Sequence, residues 1–495
     1  MSERTLSRPT TADRRRWWGL AALLTAEAMN LLDATIVPVA APVVHADLGG
    51  AVSDVQWFSA GYTLPFALLL ITGGRLGDIA GRRRVFRAGV TGFALASLGC
   101  ALAPSAGLLI AARAVRGGTA AVIIPRTFGL ITAMFSGRER TRALGWIGPV
   151  MGLAAVCGPV LGGVLTHADL FGSSWRAVFL VNLPLAVGVL AAAPLLCEDR
   201  APRRPRLDAV GTALAALGTG LIVYPLIDTG SAARPGCTAI GLGAGGAVLV
   251  GFGAQQRRAA RRGRSPLVEP SLFGHLGFPA ALVASASFFA VLNGLMLVTV
   301  LYLQLGLDAD ARAAGLTLLP WSAGMGISSW AAGSRLVPRY GARLMYAGLV
   351  VLLAGVLGTA AAFPAPFSGP PSGAPRWPLL ATLGICGIGV GLFTAPFFTA
   401  ALARVQPQEV GSAAGLLNAI QQLGATLGVA LLGSVFLHAP VSAPVSATVT
   451  ATEAAAAQLA YWVAAGLLAA TAAAAVLMTE TRQPRRAPAA PTGPS

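Results

Sequence analysis

The sequence predicts an all-α polytopic membrane protein with 14 transmembrane helices: two six-helix pseudo-repeats plus two inserted central helices. Only 11% of the 495 residues are charged, whereas a soluble protein carries about a quarter. Apolar runs of roughly 20 residues recur from end to end, and each could cross a hydrocarbon core of about 30 Å. Because these runs are continuously apolar rather than alternating, helices are the expected spanning elements.

Apolar runs and the residues that interrupt them place each helix. The predicted spans are 17–43, 55–75, 85–104, 106–134, 142–166, 175–197, 208–228, 235–254, 278–304, 313–334, 343–363, 377–402, 410–437 and 457–479. Arginines concentrate in alternate loops, which is typical of the cytoplasmic side of a membrane protein. We therefore expect a multi-pass protein of the cell membrane with both termini in the cytoplasm.

The formal net charge of +17 could suggest a nucleic-acid partner. The arginines, however, stand in short loops between apolar spans, so membrane topology explains them and no nucleic acid is expected. The five cysteines show no paired spacing, and we find no HExxH motif, nucleophile elbow or phosphate loop. The sequence thus predicts neither a metal, nor a cofactor, nor an enzyme.

Part of the chain repeats internally. The stretch beginning at Gly73 matches the stretch beginning at Gly333, and span 5 matches span 13 at a similar offset. Two halves of six spans alone would be offset by about 200 residues, so two extra spans separate them. The predicted divisions are an N-terminal tail at 1–16, a first bundle at 17–197, an insertion at 198–277, a second bundle at 278–479 and a disordered tail at 480–495.

Several short motifs carry a resemblance to a known family. They are Leu32–Val37, Gly74–Arg84, Arg113–Gly117, Gly158–Gly163, Trp175–Pro184 and Asn418–Gly424. With these motifs in this order, the chain resembles the fourteen-span drug:proton antiporter branch of the major facilitator superfamily over nearly its whole length. Pro38, Arg116 and Ala154 depart from the family pattern, and these departures bear on substrate choice rather than on class.

Charged side chains inside apolar spans are costly and therefore mark functional candidates. Glu27 and Asp33 lie in span 1, and Arg113 and Arg116 lie in span 4. With a rise of about 1.5 Å per residue, Asp33 comes to the depth of Arg113, and Glu27 comes to the depth of Arg116. The sequence predicts two levels at which an acid faces an arginine.

Asp33, Glu27 and Arg113 are the predicted proton-coupling residues. An apolar surrounding favours the neutral carboxyl and a nearby guanidinium favours the ionised one, so a substrate or a moving arginine could switch protonation. The family motif agrees for Asp33. The alternative is a static buried ion pair that only fixes helix packing, and it stays open.

Seven polar residues are predicted to line the substrate cavity. They are Asn30, Arg116, Asn293, Gln304, Asn418, Gln421 and Gln422. Spans 9 to 13 hold no interior carboxylate, which places charge handling in the first half of the chain. Hydrogen bonding between helices is an equal alternative for Asn418 and the two neighbouring glutamines, and solvent is an alternative neighbour for Gln304.

Two glycine-containing motifs are predicted to act in gating. Their residues are Gly74, Asp78, Gly81, Arg82, Arg83 and Arg84 after span 2, and Gly158, Pro159, Gly162 and Gly163 in span 5. The resemblance implies that Asp78 forms a clasp with an arginine or a facing helix N-terminus in the outward-open state. A plain topology signal explains the arginines but not Asp78 or the glycines. In span 5, a bending element and ordinary small-residue packing both remain open.

The predicted function is proton-coupled efflux of small hydrophobic drugs or antibiotics by alternating access. The expected partners are that substrate, protons and the lipid bilayer, and the chain is expected to be a monomer. One alternative is a proton-coupled importer of the same fold, against which the antiporter motif of span 5 argues. The other is a transport-inactive membrane sensor or scaffold, for which we see no sizeable soluble domain.

Overall fold

The computed structural model describes residues 11–169, 172–197, 207–228, 235–263, 266–363, 377–403, 405, 409–438 and 449–480. The regular structure within these ranges is helical, and none of it is strand. Among the described residues, twelve helical segments are long and apolar enough to cross a membrane. The predicted all-α polytopic fold is thereby confirmed.

The described residues of the first half form eight α-helices. Their bounds are α1 Thr11–Leu48, α2 Asp54–Ala80, α3 Arg82–Ala101, α4 Ala106–Met134, α5 Gly137–Gly145, α6 Ile147–Ala168, α7 Ala177–Leu180 and α8 Asn182–Ala192. Gly81 makes the tight turn between α2 and α3 with a φ of 101°, a backbone region that glycine adopts without strain.

Two further helices, α9 (Ala209–Ile227) and α10 (Pro235–Arg261), separate the halves. Asp208 caps α9, since its carboxylate accepts a hydrogen bond of 2.8 Å from the Gly211 N–H. These helices coincide with the two predicted inserted spans.

Eight more α-helices are formed by the described residues of the second half. Their bounds are α11 Gly277–Leu301, α12 Ala311–Thr317, α13 Leu319–Ala331, α14 Val337–Tyr340, α15 Arg343–Ala362, α16 Trp377–Leu402, α17 Val410–Leu437 and α18 Val449–Glu480. A π-helical turn at Tyr302–Gly306 extends α11, and a second at Ala332–Leu336 joins α13 to α14.

Two predicted spans, 85–104 and 313–334, are not among the twelve segments. The first corresponds to α3, which carries four arginines among its first six residues. The second is interrupted at Leu318, between α12 and α13. Helical structure is present at both places, and the count of fourteen spans stays a prediction.

Helices of the two halves meet along a common seam. Within the halves, α2 packs on α4 and α11 packs on α17. Between the halves, α2 contacts α17, and α6 contacts both α12 and α13. Helix α9 lies on α2 and α17 together, and α10 lies on α9. We call the end of the helices at Gly81 and Arg343 the arginine-rich end, and the opposite end the arginine-poor end.

Candidate functional site

Asp33 is the centre of a buried charge cluster between α1 and α4. Its side chain is fully buried, as is that of Arg116, and that of Arg113 is 1% exposed. Nη2 of Arg116 lies 3.0 Å from Oδ1 of Asp33, and Nη1 of Arg113 lies 3.4 Å from the same oxygen. Arg113 also donates to Oδ2 at 3.5 Å. One carboxylate therefore serves two guanidinium groups.

The pairing differs from the two levels that the sequence predicts. Arg113 and Arg116 stand three residues apart on α4 and share a face, so both long side chains reach the same carboxylate. Glu27 is buried near Thr127, and its Oε1 has no hydrogen-bond partner among the described residues. The predicted opposition of Glu27 and Arg116 is thus corrected, because Arg116 is already paired with Asp33.

Three aromatic rings hold the two guanidinium groups in place. The Arg116 Cζ lies 4.5 Å from the ring centre of Phe93 and 5.4 Å from that of Phe179. The Arg113 Cζ lies 5.2 Å from the ring centre of Tyr62, whose hydroxyl donates a hydrogen bond to the amide oxygen of Asn30. The face of an aromatic ring attracts a cation through a cation–π interaction, which is stronger where water is excluded. The cluster is therefore fixed on several sides.

A small cavity lies beside this cluster, in the seam between the halves. Its lining residues are Ala34, Pro38, Ser59, Thr63, Arg113, Asn293, Met296, Ala425 and Val429, from α1, α2, α4, α11 and α17. The space is about 10 Å³, enough for about one water molecule. The Thr63 and Thr426 hydroxyls hydrogen-bond across the seam at 2.7 Å. Arg113 is thus the charged group shared by the cavity and the Asp33 cluster.

Of the seven polar residues predicted for the cavity, Asn293 is the one among its lining residues. Its side chain also donates to the Phe289 carbonyl at 3.0 Å. Gln304 instead donates to the Val39 carbonyl at 2.8 Å, which joins the end of α11 to α1. The remaining ones are half-buried on α17, nearer the arginine-rich end than the cavity-lining Ala425: Asn418, Gln421 and Gln422. Asn30 and Arg116 belong to the charge cluster.

The motif Gly74–Arg84, which covers the end of α2 and the start of α3, lies against a buried arginine of α4. Arg126 is 2% exposed and donates to the carbonyl of Gly73 at 2.9 Å and to that of Gly74. A side chain at Gly77 would overlap the Arg126 guanidinium, so this glycine makes room for it. The motif therefore anchors α2 on α4 through backbone carbonyls, which are partners that sequence reasoning did not assign.

The remaining residues of this motif lie at the arginine-rich end. Arg82 lies along Gly129 of α4, and Arg83 donates to the Leu196 carbonyl at 3.2 Å. Arg84 is exposed. Asp78 belongs to α2, but its side chain lies outside the described part of the structure, so the clasp proposed for it stays a prediction.

Replacing Gly77 with Ala is expected to displace Arg126 and to lower the unfolding temperature of the purified protein. The added methyl group would overlap the guanidinium, and such crowding costs about 1–3 kcal/mol. Gly74→Ala is the matched control, because its methyl group would lie 3.6 Å from the guanidinium, an ordinary contact. Equal unfolding temperatures for the two variants would contradict the role given to Gly77.

The glycines of α6 bring this helix against two neighbours. A methyl group at Gly162 would lie 2.8 Å from the Ile36 carbonyl oxygen of α1, and one at Gly158 would overlap Thr35. On the far side, Gly163 meets the Ala311 backbone, and the Pro159 carbonyl meets Gly315 of α12. His167 and Asp310 lie 3.4 Å apart just beyond. These contacts close the seam on the arginine-poor side of the cavity.

The sequence pattern described as Major Facilitator Superfamily matches residues 23–429, which include the charge cluster and extend from α1 into α17. The chain belongs to this superfamily. It is 44% identical over 423 residues to the "Probable actinorhodin transporter" of Streptomyces coelicolor, which covers 85% of this chain and 72% of the relative. It is 37% identical over 431 residues to the "Puromycin resistance protein pur8" of Streptomyces alboniger, covering 86% and 82%.

A solved structure of the superfamily fold agrees. A bacterial homolog to the human lysosomal transporter Spinster, in an inward-facing and unoccupied conformation, matches with a TM-score of 0.62 over 95% of this chain and 99% of that chain. At 18% identity this likeness shows the fold alone. The family match and the relatives, by contrast, confirm the predicted class, a drug-efflux transporter of the Major Facilitator Superfamily with a small-molecule substrate.

Sequence reasoning missed the aromatic residues that surround the arginines. Tyr62, Phe93 and Phe179 lie in apolar runs, where an aromatic side chain usually means only core packing. The available signal was the pair of arginines in span 4, because a buried cation needs either an acid or a ring face. Because one carboxylate serves two guanidinium groups, each guanidinium also needs a neighbouring aromatic ring.

Proposed function

We propose that this chain exports small, largely apolar antibiotic-like compounds in exchange for protons, by alternating access of the cavity. The observation that carries the proposal is Asp33, a fully buried carboxylate whose partner Arg113 also lines the cavity between the halves. The names of the relatives, which refer to actinorhodin and to puromycin resistance, support an antibiotic-like substrate.

Arg113 links the binding of the substrate to the binding of the proton. The cavity holds only about one water molecule as it stands, so a substrate enters when the halves separate beside it. The bound substrate then pushes the guanidinium of Arg113 toward Asp33, which shortens the 3.4 Å contact and favours the ionised carboxylate. A proton on Asp33 neutralises the carboxylate that pairs with the two guanidinium groups, which then move apart. Substrate and proton therefore oppose one another through one side chain, and this opposition is what antiport requires.

We assign the moving units to residues 17–197 and 278–479, with the insertion 198–277 outside the substrate pathway. The arginine-rich end faces the cytoplasm, in agreement with the loop charges, and so do both termini. The closed contact of α6 and α12 toward the arginine-poor end then leaves the cytoplasmic side as the side of substrate entry. The working unit is a monomer.

Inverted membrane vesicles from cells that express the chain test the proposal. With the vesicle lumen acidified by respiration, adding a transported compound is expected to raise the luminal pH, because protons leave as the compound enters. Vesicles that carry Asp33→Asn should show the response of vesicles without the protein. Uptake of the compound only by right-side-out vesicles would instead support the importer.

A further inference from the structure

Helix α10 is the outermost helix of the fold. It packs on α9, and only 6% of its apolar segment is buried inside the protein. Most of its surface therefore faces the surroundings, which for a membrane-spanning helix are the acyl chains and headgroups of lipids.

One face of α10 is apolar along its length and basic at its end. The exposed apolar residues recur every three or four positions: Ile240, Gly243, Ala247, Val250 and Ala254. The same spacing continues into Arg257 and Arg261, with Arg258 and Arg262 beside them, and all four are exposed. At 3.6 residues per turn, the apolar and basic residues form a single stripe. The stripe changes from apolar to basic at the arginine-rich end.

The four arginines have no acidic partner within the described ranges of the chain. The nearby acid, Asp208, is already occupied, because it accepts hydrogen bonds from Gln255 at 3.2 Å and from Gln256 at 2.8 Å. Gln256 points inward and is buried, so α10 turns its amides to the protein and its arginines outward. The cluster therefore presents uncompensated positive charge at the membrane edge.

We propose that this stripe binds an anionic phospholipid. The phosphate and headgroup would lie on Arg257, Arg258, Arg261 and Arg262, whose guanidinium groups suit bidentate contact with phosphate oxygens. One acyl chain would lie on the apolar residues that precede the arginines, since half of a hydrocarbon core of about 30 Å corresponds to about ten helical residues, 247–256. The small side chains of Ala247 and Ala254 leave space for that chain.

Membrane topology alone would explain an excess of arginine on one side of the membrane at any position in a loop. It does not explain why four arginines continue an exposed apolar stripe on one helix. That alignment matches an amphiphile with one negative end, and attraction of juxtamembrane arginines to anionic lipid is worth enough to select such a lipid.

The test uses the full chain, purified and placed in phosphatidylcholine nanodiscs with increasing fractions of phosphatidylglycerol. Bound phosphatidylglycerol is counted by native mass spectrometry after release from the disc. The variant changes Arg257, Arg258, Arg261 and Arg262 to Gln. The matched control changes four other exposed arginines of the same end to Gln: Arg87, Arg335, Arg339 and Arg343.

We expect the α10 variant to retain phosphatidylglycerol with an affinity about tenfold lower than the unaltered chain, and the control to stay within about twofold. Both variants should keep the unfolding temperature of the unaltered chain in phosphatidylcholine alone, because all eight side chains are exposed. Equal losses in variant and control would overturn the proposal. So would full displacement of the lipid by inorganic phosphate, because the acyl chain would then contribute nothing.

Discussion

Replacing Asp33 with Asn is expected to reduce substrate-driven proton movement to the level of membranes without the protein. The amide cannot release a proton, and it leaves the two guanidinium groups of Arg113 and Arg116 without their paired carboxylate. The measurement is the pH change inside reconstituted liposomes when a transported compound is added. Removing one partner of a buried ion pair also costs about 3–5 kcal/mol of stability, so protein recovery must be measured in parallel.

Asp47→Asn is the matched control. Asp47 lies on the same helix, and its ion pair with Arg176, at 3.0 Å, is exposed. Such pairs contribute about 0–1 kcal/mol, so this variant should keep both stability and proton movement. To separate coupling from folding, substrate exchange at equal pH on both sides is measured with the Asp33 variant. Proton movement that persists in a well-folded Asp33→Asn protein would remove Asp33 from the coupling role.

Replacing Gly117 with Ala is expected to destabilise the first half of the protein more strongly than Gly77→Ala. The added methyl group would overlap the carbonyl oxygen of Tyr62, and backbone on α2 cannot move aside as a side chain can. Overpacking of this kind costs about 1–3 kcal/mol or more. We expect a lower unfolding temperature and a displaced Tyr62 ring, and thus weaker transport.

Gly107→Ala on the same helix is the control. Apart from its chain neighbours and the adjacent backbone of its own helix, no atom of the described residues lies within 4 Å of the position its methyl group would take. Alanine also favours a helix over glycine by about 1 kcal/mol. Its unfolding temperature should equal or exceed that of the unaltered chain. If Gly117→Ala behaved in the same way, the close approach of α2 and α4 would not hold.

Much of the fold follows from the sequence because membrane spans leave few options. A continuously apolar run must be helical, and the residues that interrupt it can mark the ends of the helix, as α17 shows at Val410–Leu437 against the predicted 410–437. Breaks inside helices are harder to foresee. The interruption at Leu318 and the two π-helical turns depend on how neighbouring helices pack, and the hydropathy of the sequence does not report that packing.

The members of the charge cluster could be predicted, but not their pairing. Depth along a helix can be counted from the sequence, and it brought Asp33 and Arg113 to one level. It did not show that Arg116 reaches the same carboxylate, because the reach of a long side chain depends on the distance between α1 and α4. In the same way, the carbonyls that bind Arg126 have no signature in the side-chain sequence.

If substrate and proton oppose one another at Asp33, substrate binding must release a proton. The purified protein is placed in weakly buffered detergent solution with a pH indicator, and a transported compound is added. We expect a saturable acidification with the unaltered chain and with Asp47→Asn, and none with Asp33→Asn. Binding of the compound without proton release at any pH from about 6 to 9, or equal release by Asp33→Asn, would mean that substrate and proton do not oppose one another at this carboxylate.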